Sequence, residues 1–165
     1  MRHKIYITRE KRGLGYLLTG RLIRRAVRAA LAVEGIDEAC QVSVMLTDDE
    51  GIQRLNRDFR QMDKPTDVLS FPANELTAGD FEPELCERDP QSGRIVLGDM
   101  AISLERAASQ GEEFGHGTGR EIQYLTVHSI LHLLGYDHVD EGEMKRQMRQ
   151  REKEIMSTIE GVKEE

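Results

Sequence analysis

The sequence contains no long hydrophobic run, and this absence argues against a membrane protein. A helix needs about 20 consecutive apolar residues to cross a bilayer. The most apolar N-terminal stretch, 14–33, is interrupted by Arg21, Arg24, Arg25 and Arg28. These charges also argue against a secretory signal peptide. We therefore expect a protein without a membrane partner.

Cysteine is scarce, with only Cys40 and Cys86 among 165 residues. The two residues are far apart and form no CxxC pair, so neither a disulfide framework nor a cysteine zinc site is indicated. Such thiols suit a reducing compartment, and we expect a cytoplasmic protein.

Length and composition indicate one folded unit. A chain of 165 residues is long enough for a sizeable core and short of the length at which two cores form. Hydrophobic residues make up 38% and charged residues 32%, which excludes both a collagen-like chain and wholesale disorder. We predict a single domain over residues 1–165.

The chain is acidic overall but basic at its N-terminus. The formal net charge of -7 argues against a protein that coats nucleic acid by bulk electrostatics. Residues 1–30 nevertheless hold nine Lys or Arg and one acid. Within them Arg21, Arg24, Arg25 and Arg28 follow helical spacing and form one basic stripe. This stripe is either a solvated helix face or a surface that follows an RNA backbone.

Hydrophobic periodicity predicts short strands mixed with amphipathic helices. The predicted strands cover 4–8, 42–47, 67–71 and 94–97. The predicted helices cover 14–34, 47 to before Pro65, 102–109, 119–134 and a final segment from about 140. The aperiodic stretch 73–93 and the glycine-rich stretch 111–119 connect them. These elements predict an α+β fold with about five helices packed on a small mixed sheet of about four strands.

Three of the five histidines fall within eleven residues. His128 and His132 are four apart on a predicted helix, so both imidazoles leave the same face. Gly135 ends that helix, and His138 follows on the returning chain. Three histidine ligands leave one position open, as in a catalytic zinc site. The sequence therefore predicts one divalent metal per chain, by preference Zn²⁺, held by His128, His132 and His138.

Two acids near these elements have two interpretations each. Asp99 follows the predicted strand 94–97, where it either caps the next helix or orients a ligand histidine. Asp137 is adjacent to His138 and is either a surface acid or a second partner of that imidazole.

The histidine spacing H-x3-H-x2-G-x2-H matches that of the metzincin metalloproteases. Those enzymes place a glutamate directly after the first histidine, where it is the general base for the metal-bound water. In this chain that position is Ser129. A serine hydroxyl does not accept a proton at neutral pH as a carboxylate does, so protease activity is the weaker interpretation.

Three separated motifs together resemble the YbeY family of bacterial rRNA maturation factors. They are HSILHLLGYDH at 128–138, PTDVLSFP at 65–72 and LGDMAIS at 97–103. The resemblance covers about residues 40–140, and the first 35 residues match weakly. The family usually has glycine where this chain has Ser129, and neither residue supplies a base.

This resemblance implies a zinc held by the three histidines and a single-strand-directed endoribonuclease activity. It also implies a role in 16S rRNA 3′-end maturation and ribosome quality control. The implied partners are rRNA and the ribosomal small subunit or its assembly factors, and no DNA is expected. The arginine that precedes the PTDVLSFP strand in the family falls on Arg60. Its guanidinium would make a bidentate contact with a phosphate, unless it is an ordinary surface arginine.

Three functions therefore remain open. The first is a metal-dependent endoribonuclease, which rests on the histidines, on Arg60 and on the family resemblance. The second is a metzincin-like metalloprotease, which the spacing favours and Ser129 opposes. The third is a ribosome-assembly or RNA-binding factor in which zinc mainly stabilises the fold and any hydrolysis is incidental.

Overall fold

A computed structural model describes residues 3–15, 17–137 and 142–160. Across these residues the strands are β1 (Lys4–Arg9), β2 (Cys40–Thr47), β3 (Val68–Pro72) and β4 (Ile95–Ser103). The helices are α1 (Leu17–Val33), α2 (Asp49–Arg60), α3 (Leu104–Glu113), α4 (Thr118–Leu133) and α5 (Glu143–Glu160). The predicted α+β class is confirmed. No helix in this part of the chain is both long and apolar enough to cross a bilayer.

The four strands form one mixed sheet in the order β1-β2-β4-β3. β1, β2 and β4 are parallel, whereas β3 runs antiparallel to β4 at the edge. β4 therefore has a partner on both sides and is mostly buried. Both β3 and β4 contact α4, the helix with the two histidines, and the edge strand β3 does so more extensively.

The main core lies between the sheet and helices α1, α4 and α5. In α1 the residues Ile23, Ala26, Val27, Ala30 and Leu31 are fully or almost fully buried. Their i, i+3, i+4, i+7, i+8 spacing gives α1 one apolar stripe, as expected of the predicted amphipathic helix, although Leu17 and Leu18 at its start are exposed. α4 packs against α1, α3 and α5 and is buried along most of its length.

A second, smaller cluster holds α2 on the opposite face of the sheet. Ile52 of α2 packs against Leu69 of β3 and Ala101 of β4. Neighbouring residues on a strand point to opposite faces, and Met100 and Ile102 accordingly belong to the main core. α2 thereby ends beside β3, which determines where Arg60 lies.

The sequence predicts that the strand 94–97 turns at Gly98-Asp99 toward the next helix, which was wrong, because β4 continues to Ser103. Gly98 has φ +137 within the strand, next to a register shift in which Gln41 and Val42 pair with Val96 and Gly98. Pairing on both sides overrides the local turn signal. Asp99 is therefore an exposed mid-strand residue, and Ser103 caps α3 through the amide of Arg106.

We expect Gly98→Ala to destabilise the fold strongly. A Cβ at this position would overlap the Phe71 carbonyl oxygen of β3. Its positive φ alone costs about 1–3 kcal/mol for a residue with a side chain, and the overlap adds to that cost. Urea unfolding should show this loss. The control Gly13→Ala shares the positive φ but has open space around it, so a loss no larger than in this control would contradict the close packing.

The glycine-rich stretch 111–119 is only partly a linker. α3 extends to Glu113, and Gly111 is buried within it. The backbone of Gly117 and Thr118 packs directly on Gly111, where a side chain would not fit. The sequence Thr118-x-x-Glu121 predicts a capping box at the start of α4. This prediction was wrong, because Gly117 is the N-cap and supplies no side-chain hydrogen bond.

Candidate active site

A cleft with a volume of about 610 Å³ opens beside α4 and β3. Arg60, His128 and His132, three of the four residues that the sequence predicted for the site, line this cleft together. The lining also includes Asp67 and Ser70 from the β3 region and Asp137 after α4. His138, the fourth predicted residue, lies outside the described residues.

The two described histidines present their ring nitrogens to each other. His128 and His132 are one turn apart on α4, and their Nε2 atoms are 3.1 Å apart. The ring centroids are 4.7 Å apart and the rings are nearly perpendicular, at 81°. Edge-on packing of this kind directs both Nε2 atoms at one point.

The other nitrogen of each ring has a partner that identifies the tautomer. The Nδ1 of His132 is 3.0 Å from the carbonyl oxygen of Tyr136, which can only accept, so this Nδ1 donates. The Nδ1 of His128 is 2.9 Å from Oε2 of Glu152, a carboxylate acceptor. Protonated Nδ1 atoms leave a lone pair on each Nε2 of the neutral rings.

Two lone pairs at this separation repel each other unless a proton or a metal cation lies between them. A tetrahedral zinc with Zn–N bonds of about 2.0–2.1 Å holds two nitrogens about 3.3 Å apart, close to the observed distance. His128 and His132 therefore fit two ligands of such a metal. Within 3–15, 17–137 and 142–160, no group of three His, Cys, Asp or Glu side chains is arranged to hold a metal.

The turn after α4 depends on Gly135, as the sequence predicted. Leu134 is the C-cap of α4, and Gly135 follows with φ +100. A Cβ on Gly135 would overlap the carbonyl oxygen of Leu76, so the loop before β4 packs directly on this turn. The turn also places the Tyr136 carbonyl over the Nδ1 of His132.

Ser129 is fully buried on the side of α4 that faces β3. Its Oγ is 2.6 Å from Oγ of Ser70, so the two hydroxyls share a hydrogen bond that joins α4 to β3. The position at which metzincins carry their general base therefore has a packing role in this chain.

Arg60 is the last residue of α2 and is exposed. Gln61 follows in the left-handed conformation, and the Asn56 side chain donates to the Lys64 carbonyl at 2.9 Å, which fixes the loop after the helix. Arg60 makes no ion pair or hydrogen bond with any residue that the structure describes. Its guanidinium therefore enters the cleft without a carboxylate partner.

Sequence reasoning missed Glu152, the partner of His128. α5 has an apolar stripe that includes Met148, Ile155 and Met156, and Glu152 lies within it. A carboxylate on a buried helix face was the signal that could have identified it, because such a group needs a partner. The Tyr136 carbonyl gave no signal, since any residue at that position supplies one.

The remaining histidines have structural partners. His3 Nδ1 accepts a hydrogen bond from the Cys40 amide at 3.1 Å, which joins the start of β1 to β2. His116 Nε2 lies 2.6 Å from Oε2 of the buried Glu121, and Arg120 donates to its Nδ1. Neither residue lines the cleft.

Comparison with known proteins decides the family. The model of the family Endoribonuclease YbeY matches residues 7–160. The chain belongs to the YbeY family. The family resemblance of the three motifs is thereby confirmed, and the match includes most of the N-terminal segment, where the sequence alone showed only weak similarity.

Curated YbeY relatives match most of the chain. Endoribonuclease YbeY of Clostridium acetobutylicum is 49% identical over 146 residues, covering 82% of this chain and 84% of its own. That of Chloroflexus aurantiacus is 45% identical over 145 residues, covering 88% and 90%. The solution structure of TM1509 from Thermotoga maritima superposes with a TM-score of 0.57 at 23% identity, covering 95% and 92%. The last comparison supports the fold alone.

Proposed function

We propose that this YbeY-family chain is a metal-dependent endoribonuclease that cleaves single-stranded RNA. The observation that carries the proposal is the convergence of the Nε2 atoms of His128 and His132 in the cleft that Arg60 also lines. The names of the curated YbeY relatives support cleavage of RNA. Zn²⁺, one per chain, is the metal that three neutral imidazoles prefer, with His138 as the third ligand.

Each residue has a separate task in this proposal. A divalent cation on the histidines would supply Lewis acidity toward a phosphoryl oxygen and lower the pKa of a bound water. Arg60 binds the scissile phosphate in the ground state and holds it more strongly as negative charge develops. Glu152 and the Tyr136 carbonyl keep the protons on the Nδ1 atoms, so that both Nε2 atoms face the cleft.

The proposed biological role is maturation of the 16S rRNA 3′ end and ribosome quality control in the cytoplasm. Its proposed partners are rRNA and the ribosomal small subunit or its assembly factors. Support for this role comes from the family to which the chain belongs and not from the site, whose residues do not distinguish one RNA from another.

Two other functions make different predictions for purified protein. A metalloprotease is favoured by the histidine spacing and opposed by the buried Ser129. A ribosome-assembly factor with structural zinc would bind RNA without cleaving it. Incubation with single-stranded RNA, structured RNA and casein, each with and without chelator, separates the three. We expect chelator-sensitive cleavage of single-stranded RNA, whereas cleavage of casein, or RNA binding without cleavage, would contradict the proposal.

The basic stripe predicted from the sequence lines a groove between α1 and α5. Arg21, Arg24, Arg25 and Arg28 border a volume of about 520 Å³ together with Ala29, Thr158 and Ile159. Among the residues that the structure describes, no acid contributes to this lining. We propose that the stripe contacts RNA phosphates outside the cleft, in keeping with its charge.

Reversing charge in this groove should weaken RNA association. We expect the double variant Arg24→Glu, Arg25→Glu to bind single-stranded RNA less tightly and with a shallower dependence of log K on log salt. Fewer phosphate contacts form in the variant, so fewer counterions are released on binding. Fluorescence anisotropy at several salt concentrations measures both. Lys4→Glu with Arg12→Glu changes the same charge on exposed residues outside the groove. If the two double variants show equal slopes of log K against log salt, the stripe is a solvated helix face and not an RNA contact.

A further inference from the structure

Glu152 is a buried carboxylate that the proposed chemistry uses only indirectly. It lies on α5, and its side chain is only 7% exposed. Its Oε2 accepts from Nδ1 of His128 at 2.9 Å. Burial, followed by the charge of Glu152, raises the pKa of the neighbouring Tyr124.

Arg151, the residue before Glu152, holds α5 in place beside His128. Arg151 donates from Nε to Oε2 of Glu34 at 2.7 Å and from Nη2 to the Val33 carbonyl at 3.1 Å. Glu34 is itself almost fully buried, with a side chain 6% exposed. This contact ties α5 to the end of α1 directly beside the residue that reaches His128.

The contact between Arg151 and Glu34 also lies near the residue that holds His132. Burial, followed by the nearby Glu34, raises the pKa of Tyr136 to about 12, which places the Tyr136 ring beside that carboxylate. The carbonyl of Tyr136 is the group that accepts from Nδ1 of His132. Adjacent residues of α5 thus reach the Nδ1 side of both histidines, Glu152 directly and Arg151 through Glu34 and Tyr136.

From this arrangement we propose that Glu152 is a positioning residue that sets the metal affinity of the site through His128. Its carboxylate holds the imidazole in the Nδ1–H tautomer, directs Nε2 into the cleft and makes that nitrogen a stronger donor. The inference rests on the proposed metal centre and extends it to a residue that does not touch the metal. Loss of such a partner typically weakens metal binding about 10–100-fold.

The test measures zinc affinity of the metal-free full chain by competition with a chromophoric chelator. We expect Glu152→Gln to bind zinc about 10–100-fold more weakly than wild type. Glu160→Gln removes the same charge from an exposed position on the same helix, where the partner is Arg120, and should leave the affinity unchanged. Melting temperatures of the metal-free proteins separate a general loss of folding from an effect on His128.

The outcomes separate this inference from the proposed function. Wild-type affinity in folded Glu152→Gln would overturn the positioning role while leaving the metal centre intact. If Glu152→Gln does not fold, the zinc affinity of Glu152→Asp is measured instead, because this variant keeps the charge but withdraws the carboxylate by one methylene. An unchanged zinc affinity in Glu152→Asp would also overturn the positioning role. A wild type that binds no zinc would remove both the metal centre and the role that rests on it.

Discussion

Arg60→Ala should remove most RNA cleavage while leaving bound metal and folding unchanged. The guanidinium lines the cleft and has no ion-pair partner among the described residues, so its removal breaks no contact that stabilises the fold. Exposed residues of this kind usually change stability by less than about 0.5 kcal/mol. Removing one group that stabilises developing charge costs about 10²–10³-fold in rate. Single-turnover cleavage of single-stranded RNA by metal-replete protein is the measurement.

Arg60→Lys distinguishes charge from geometry. The ammonium keeps the charge but loses the planar fork that contacts two phosphate oxygens, so we expect an activity between those of alanine and wild type. Arg57→Ala is the matched control, since Arg57 is also exposed near the end of α2 but lies close to Asp58 and Asp63. Full activity in Arg60→Ala would exclude Arg60 from the site. Inactivity with lost metal or folding would make its role structural.

His132→Ala should abolish both metal binding and cleavage. Its Nε2 is one of the two nitrogens that converge in the cleft, and a remaining pair of ligands holds a divalent metal poorly. Loss of a metal that contributes several kcal/mol to transition-state stabilisation corresponds to about 10³-fold or more in rate. Elemental analysis of protein purified without a histidine tag, together with RNA cleavage, tests both effects.

His3→Ala is the control for this variant, because it removes an imidazole that contacts the Cys40 amide far along the chain from the predicted ligands. It should keep its metal and its activity. Unchanged metal content in His132→Ala, or equal loss in both variants, would contradict the assignment of the ligands.

The sequence predicted the parts of the site that follow from local spacing. His128 and His132 lie on one face because they are four apart on a helix, and Gly135 ends that helix because its positive φ suits glycine. The fold class followed in the same way from strand and helix periods. The amphipathic spacing of α1 and the alternation of β2 were sufficient for those elements.

The errors and omissions arise where distant contacts decide. Gly98 looks like a turn residue, but pairing of β4 with β2 and β3 keeps it in a strand. Glu152 is separated from His128 by 24 positions, and only the packing of α5 on α4 brings them together. The spacing of residues within one helix does not indicate a contact between two helices. The only indication in the sequence was a glutamate placed within the apolar stripe of α5.

The central claim is that cleavage depends on one metal bound at His128 and His132. Its most direct test strips tag-free wild-type protein with a chelator, removes the chelator and titrates zinc back while single-stranded RNA cleavage is followed. We predict that the stripped protein is inactive and that activity rises until about one equivalent per chain has been added. Full activity of the stripped protein, before any zinc is returned, would contradict the account.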